Sequence, residues 1–162
     1  MPLFVLSPAS LAHSALFSGY YTYLASNVSY YRVKTGIMLG DGGSGSVRVA
    51  DHKAGAEDAE NEDHLKRAIR AHGNFAESTP FAFFLIFLAE LNGAPTSLVH
   101  GAFATLFVAR VAHAEVSGIR AKNTASQGRL IGHLATYSVI LAAGLYNLSL
   151  GFEPLKSWLG FK

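Results

Sequence analysis

Apolar and polar positions alternate along this chain in long blocks. From Leu3 to Tyr31 there is no Asp, Glu, Lys or Arg. A helix needs about 20 apolar residues to cross the hydrocarbon core of a bilayer, and four stretches meet that length: about 3–31, 65–91, 96–117 and 130–150. The first lacks a basic leading segment and a small-residue cleavage site, so it reads as a retained span and not as a signal peptide. The pattern predicts an all-α integral membrane protein, a four-transmembrane-helix bundle with one long polar loop at about 32–64. No internal repeat is visible. Within the loop, Gly40-Asp41-Gly42-Gly43-Ser44-Gly45-Ser46 is turn and linker chemistry in which repeated glycine disfavours a regular element. The acidic run Glu57 to Asp63 reads as a solvated approach to the second helix, whose N-terminal dipole favours negative charge. The competing reading is a docking site for a basic partner.

Composition sharpens this picture. The chain has 162 residues, half of them hydrophobic, and 15% are charged, against roughly a quarter in ordinary soluble domains. Arg32 to Arg70 holds 14 of the 24 acidic and basic residues in 39 positions, leaving the rest nearly uncharged. That distribution excludes a typical soluble enzyme, a disordered chain and a nucleic-acid binder, despite a pI near 8.9. The length fits a single membrane domain, 1–162. With no cysteine there is no thiolate chemistry or disulfide framework in the protein itself. Arg32, Lys34, Arg48, Lys53, Lys66, Arg67 and Arg70 cluster in or beside the first connection, and Arg120, Lys122 and Arg129 in or beside the third. The second connection, around Asn92 to Pro95, has no cation. By the positive-inside rule, connections one and three are expected in the cytoplasm and both termini in the periplasm.

Ionisable groups inside a span are costly and are functional candidates by default. At 100° per residue, Arg67, Arg70, Asn74 and Glu77 share one narrow face of the second span, while His72 points elsewhere. Pro80 follows and is expected to kink the helix. The third span carries Arg110, His113 and Ser117 at i, i+3 and i+7, and the two polar stripes could meet. Guanidinium groups grip carboxylates in bidentate fashion, a carboxylate holds an ammonium, and an Asn amide can pair with a peptide bond. A ligand with carboxylates, an amino group and peptide bonds matches this set. Glutathione has all three, as do other amino-acid derivatives. The purely structural alternative is that Glu77 pairs with Arg110 or Arg70 to neutralise charge, and that His113 is a packing residue. His13, His64, His72, His100 and His133 share no metal-ligand spacing, so no metal is expected.

Arg70-Ala71-His72-Gly73-Asn74-Phe75-Ala76-Glu77, followed by Pro80 and an aromatic-rich span, resembles the second-helix signature of the MAPEG family, the membrane-associated proteins in eicosanoid and glutathione metabolism. Arg110-Val111-Ala112-His113 resembles the third-helix motif. Gly40-Asp41-Gly42-Gly43, the Glu90-Leu91-Asn92-Gly93-Ala94 turn and Arg129 before Ala135-Thr136-Tyr137 are similar to the bacterial YecN-like branch. The motifs run from about Tyr31 to Tyr137. The resemblance implies a homotrimer in the lipid bilayer, with glutathione as co-substrate in clefts between subunits near the cytoplasmic surface of a bacterial inner membrane. It implies that Arg70, Asn74 and Glu77 hold glutathione, that Arg110 and His113 line the cleft, and that Arg32 adds a cationic contact. Arg129 is then the catalytic residue nearest the sulfur, where a guanidinium favours the reactive thiolate. Because the segment Arg120 to Gln127 is longer than usual, Arg120 is the alternative for that role. Gly73 and Ser117 stand where eicosanoid-making relatives often carry Arg and Tyr, which points away from an eicosanoid substrate. The expected activity is that of a glutathione transferase or peroxidase acting on an apolar electrophile. Its rivals are a non-catalytic binding protein, acting as sensor or assembly partner, and a small transporter.

Overall fold

The computed structural model describes residues 6–50, 55, 57–119 and 127–160. Four long helices run alternately up and down: α1 (Pro8–Thr35), α2 (Asp58–Leu91), α3 (Thr96–Val111) and α4 (Gln127–Trp158). Three of them are long and apolar enough to cross a membrane. The fourth, α1, has the length, but its serines and tyrosines lower its hydropathy. Several of its hydroxyls bond back onto their own helix, Ser14 to the Leu11 carbonyl at 2.7 Å and Thr22 to the Ser18 carbonyl at 2.9 Å, which satisfies them without water.

The helices outrun the expected spans where local chemistry favours it. α1 continues to Thr35 and ends on Gly36 in the left-handed region, φ 66°, which glycine enters at no steric cost. α2 begins at Asp58, so most of the acidic run forms its first two turns instead of a solvated approach. Asp58 and Glu60 sit in the first turn, where they complement the helix dipole. The Gly-rich stretch 40–46 has no regular element, and a short antiparallel hairpin brackets it, β1 (Ile37–Leu39) with β2 (Val47–Arg48). The glycines form its tip, and pairing is set by flanking residues. Beyond Val111 the third helix widens into a π-helical segment, Ala112–Ile119, a rare element frequent at functional sites.

The core is aromatic. Phe17 of α1 meets Phe83, Phe103 and Phe107 edge-on at centroid distances of 5.4, 6.1 and 5.4 Å, a favoured geometry for ring pairs. α4 contributes least to this core. Leu130, Leu134, Leu141, Leu145, Leu148 and Phe152 are exposed along it, as on a helix facing acyl chains.

At the end formed by the start of α1 and the end of α2, the buried Glu90 carboxylate accepts from the Ala9 and Ser10 backbone N–H groups at 2.8 and 2.9 Å, and from the Ser10 hydroxyl. It caps α1 from another helix, replacing the local side-chain cap that Ser7 does not supply. Leaving buried donors unpaired costs about 1–3 kcal/mol each. Glu90→Ala is therefore expected to lower the melting temperature in detergent clearly, and Glu90→Gln less. Circular dichroism melts showing Glu90→Ala unchanged would overturn this account of the cap.

Candidate functional site

The polar groups gather around the join of α3 and the π segment, midway along α1 and α2 and against the early turns of α4. Arg110 is only 2% exposed, and among the described residues its Nε and Nη2 have no hydrogen-bond partner. A buried guanidinium with idle donors is expensive to keep. The charged or polar groups acting on it come from three other helices: Tyr20 of α1, Glu77 of α2 and Tyr137 of α4. One turn on, His113 is 5% exposed, and its Nδ1 donates to the Arg129 carbonyl at 3.0 Å. In the neutral ring that bond leaves Nε2 as an acceptor. His113 also stacks with His133 at 5.9 Å, and His133 lies 4.1 Å from Tyr137. The Tyr20 hydroxyl donates to Glu115 at 3.3 Å.

Close approach of α3 and α4 makes this arrangement possible. A Cβ on Gly132 would lie 2.7 Å from the Ala109 carbonyl oxygen and 2.8 Å from the His113 Cβ. Only glycine lets the two backbones meet there, as small residues do at membrane helix contacts. Thr136, fully buried one turn later, bonds back to the Gly132 carbonyl at 2.8 Å.

On α2 the expected stripe divides. Arg67 pairs with Asp63 one turn earlier. Asn74 is half-buried, whereas Arg70 and Glu77 are exposed along the flank of the helix. No ion pair joins Glu77 to Arg70 or Arg110 among the described residues, although the Glu77 charge acts on Arg110 from a distance. An unpaired carboxylate on the outer flank of a spanning helix is unstable against lipid, so that flank requires a polar cover. Arg32 is half-buried and donates to the Ile37 and Met38 carbonyls at 3.2 and 2.8 Å, tying the end of α1 to the hairpin. Arg129 is half-buried at the start of α4, held through its carbonyl by His113. Arg120 and Lys122 lie outside the described residues, as does the Ser117 side chain.

Tyr20, Glu115, His133 and Tyr137 are participants that the polar stripes did not reveal. Glu115 had a signal, a carboxylate two residues past His113 in an apolar span. The tyrosines had none, since only packing brings α1 and α4 to Arg110.

Taken together, these features define a helical integral membrane protein with a polar site enclosed among its four helices. Residues 10–149 match the sequence pattern of the MAPEG family, and the chain belongs to that family. It is 43% identical over 49 residues to the inner membrane protein YecN of Escherichia coli strain K12, and equally to YecN of Escherichia coli O6:H1. That match covers 30% of this chain and 37% of the relatives' length. No solved structure matches.

Proposed function

We propose that the protein is a membrane-embedded glutathione-dependent transferase or peroxidase of the inner membrane, working as a homotrimer with its sites between subunits. The observation that carries this reading is Arg110, a buried guanidinium whose two idle donors suit a carboxylate. Arg70 and Glu77 support it, because both need a polar partner that one subunit does not provide. In this reading Arg70, Asn74 and Glu77 grip the carboxylates, amine and peptide groups of glutathione, with Arg110 and His113 on the facing wall. Arg32 adds a cationic contact, with its Nη1 engaged by the hairpin carbonyls. Arg129 stands at the sulfur and favours loss of the thiol proton to water. In the transferase reaction the thiolate forms a C–S bond to an electrophilic carbon. The electron pair leaves with a departing anion or moves onto a conjugated carbonyl that water protonates. With a hydroperoxide the thiolate takes the outer oxygen as the O–O bond breaks, and the alkoxide leaves as alcohol after taking a proton. A second glutathione then reduces the sulfenic acid to disulfide and water. The cation-rich end, bearing Arg32, Lys34, Arg70 and Arg129, then faces the cytoplasm and both termini the periplasm.

The test is calorimetric binding of glutathione to the solubilised protein, with Arg70→Ala and Glu77→Ala alongside. Exposed charges contribute about 0–1 kcal/mol, whereas truncating one member of a covered charge pair costs about 2–5 kcal/mol. At about 1.4 kcal/mol per tenfold, affinity is expected to fall about thirtyfold or more for each variant. Losses of fivefold or less, with assembly intact, would overturn the assignment of these residues. Native mass spectrometry in mild detergent is expected to report trimers.

A further inference from the structure

The β1–β2 hairpin is firmly placed. It leaves α1 after Gly36 alone, and Ile37 is fully buried. Arg32 holds the Ile37 and Met38 carbonyls, and the Val49 N–H donates to the Gly36 carbonyl at 2.9 Å. Arg48 pairs with Glu62 of α2 at 2.7 Å. On this fixed base the apolar residues face outward: Leu39 is 64% exposed and Val47 54%, with Met38, Val49 and Val33 also open. Leu39 and Val47 are cross-strand partners, so they stand on one face of the ribbon. The tip, Gly40 to Ser46, contains only glycine, aspartate and serine. Polarity therefore rises from the base of the hairpin to its tip.

We propose that this hairpin docks onto the lipid bilayer, its base inserted at the boundary of head groups and acyl chains and its tip in water. Three residues of extended chain reach about 10 Å, so Leu39 stays close to the level at which α1 ends. The last turns of α1 carry the marks of that level, exposed Tyr30 with the Lys34 ammonium 6.0 Å from its ring. Tyrosine and lysine collect at membrane interfaces, the ring at head-group depth and the amine towards phosphate. Exposed Lys66 of α2, close to the level where the Tyr31–His64 ring pair joins α1 to α2, offers a second amine to that layer. A two-stranded ribbon is marginal alone in water, and lipid contact along Leu39 and Val47 removes its apolar face from solvent. The inference concerns membrane attachment and holds whether or not the site binds glutathione.

The experiment uses Trp fluorescence of the full chain in nanodiscs of phosphatidylcholine and phosphatidylglycerol. The chain has one tryptophan, so Trp158→Phe gives a silent background for Leu39→Trp, Val47→Trp and Ser44→Trp. With dibrominated acyl chains, Trp at 39 and at 47 is expected to emit to the blue and to lose emission strongly, while Trp at 44 is little affected. Emission from 39 and 47 as water-exposed as that from 44 would overturn the proposal. So would blue-shifted emission that brominated lipid does not quench, which would mean that a second copy covers the ribbon.

Discussion

Gly132→Ala is expected to destabilise the solubilised protein and to weaken ligand binding, although it adds a single methyl group. The added carbon would fall 2.7 Å from the Ala109 carbonyl oxygen and 3.2 Å from the His113 Cα. Both are backbone atoms, so no side-chain rotation relieves the contact, and overpacking of this kind costs about 1–3 kcal/mol. The strain is met by moving α4 away from α3. That movement stretches the bond from His113 to the Arg129 carbonyl, which lies one turn before Gly132. Gly144→Ala, on the same helix with nothing within 4 Å of the new carbon, is the control. It is expected to be neutral or slightly stabilising, because alanine is the better helix former by about 1 kcal/mol. Melting curves in detergent compare the two variants, and equal behaviour would show that the α3–α4 contact is not tight at Gly132.

The helices were legible because a bilayer admits few solutions: long apolar runs must become helices whose backbone groups pair internally. What escaped was decided by contacts between distant residues. The hairpin strands have three and two residues, too few for an alternating pattern to stand out, and they are set by Ile37 burial and the Arg48–Glu62 pair. The acidic run looks like an approach to α2, yet acidic side chains are good residues for a first turn, and the helix includes most of them. The Glu90 clamp on α1 could not be foreseen, since it joins residues about 80 positions apart. The π-helical widening after Val111 has no local signature that separates it from an α-helix.

The site divides in the same way. Arg110 and His113 stood out because charge and imidazole at helical spacing are conspicuous in an apolar span. Their surroundings did not. Tyr20 and Tyr137 look like ordinary membrane tyrosines, and only packing brings them within electrostatic range of Arg110. His133 has no metal-ligand spacing, yet its ring stands between His113 and Tyr137. Arg32 shows how a cation can be claimed twice: spacing makes it available to a ligand, while the fold engages its Nη1 with two carbonyls.

Arg129→Ala is expected to separate catalysis from binding. If the guanidinium favours the thiolate over the thiol, its removal raises the pKa of the bound thiol towards about 8.5, the value of a free cysteine. Each unit of that rise corresponds to about 1.4 kcal/mol of lost preference for the thiolate. The groups proposed to hold the carboxylates and amine are on α2 and α3, so glutathione affinity should change modestly. Turnover at pH 7 should fall sharply and recover in part as pH rises, because the thiolate then forms without the cation's help. Arg129→Lys should keep some activity, since a point charge remains although the planar fork is lost. The ultraviolet band of the thiolate, recorded on mixing protein with glutathione, reads the ionisation directly. The His113–Arg129 bond uses the backbone carbonyl, which alanine retains, so a loss of activity with unchanged melting points to the side chain. Arg120→Ala is assayed in parallel: loss of signal there, with Arg129→Ala unaffected, would move the catalytic cation to Arg120. Retention of turnover and thiolate signal in both variants would remove the cation from the chemistry, leaving a protein that binds glutathione without activating it.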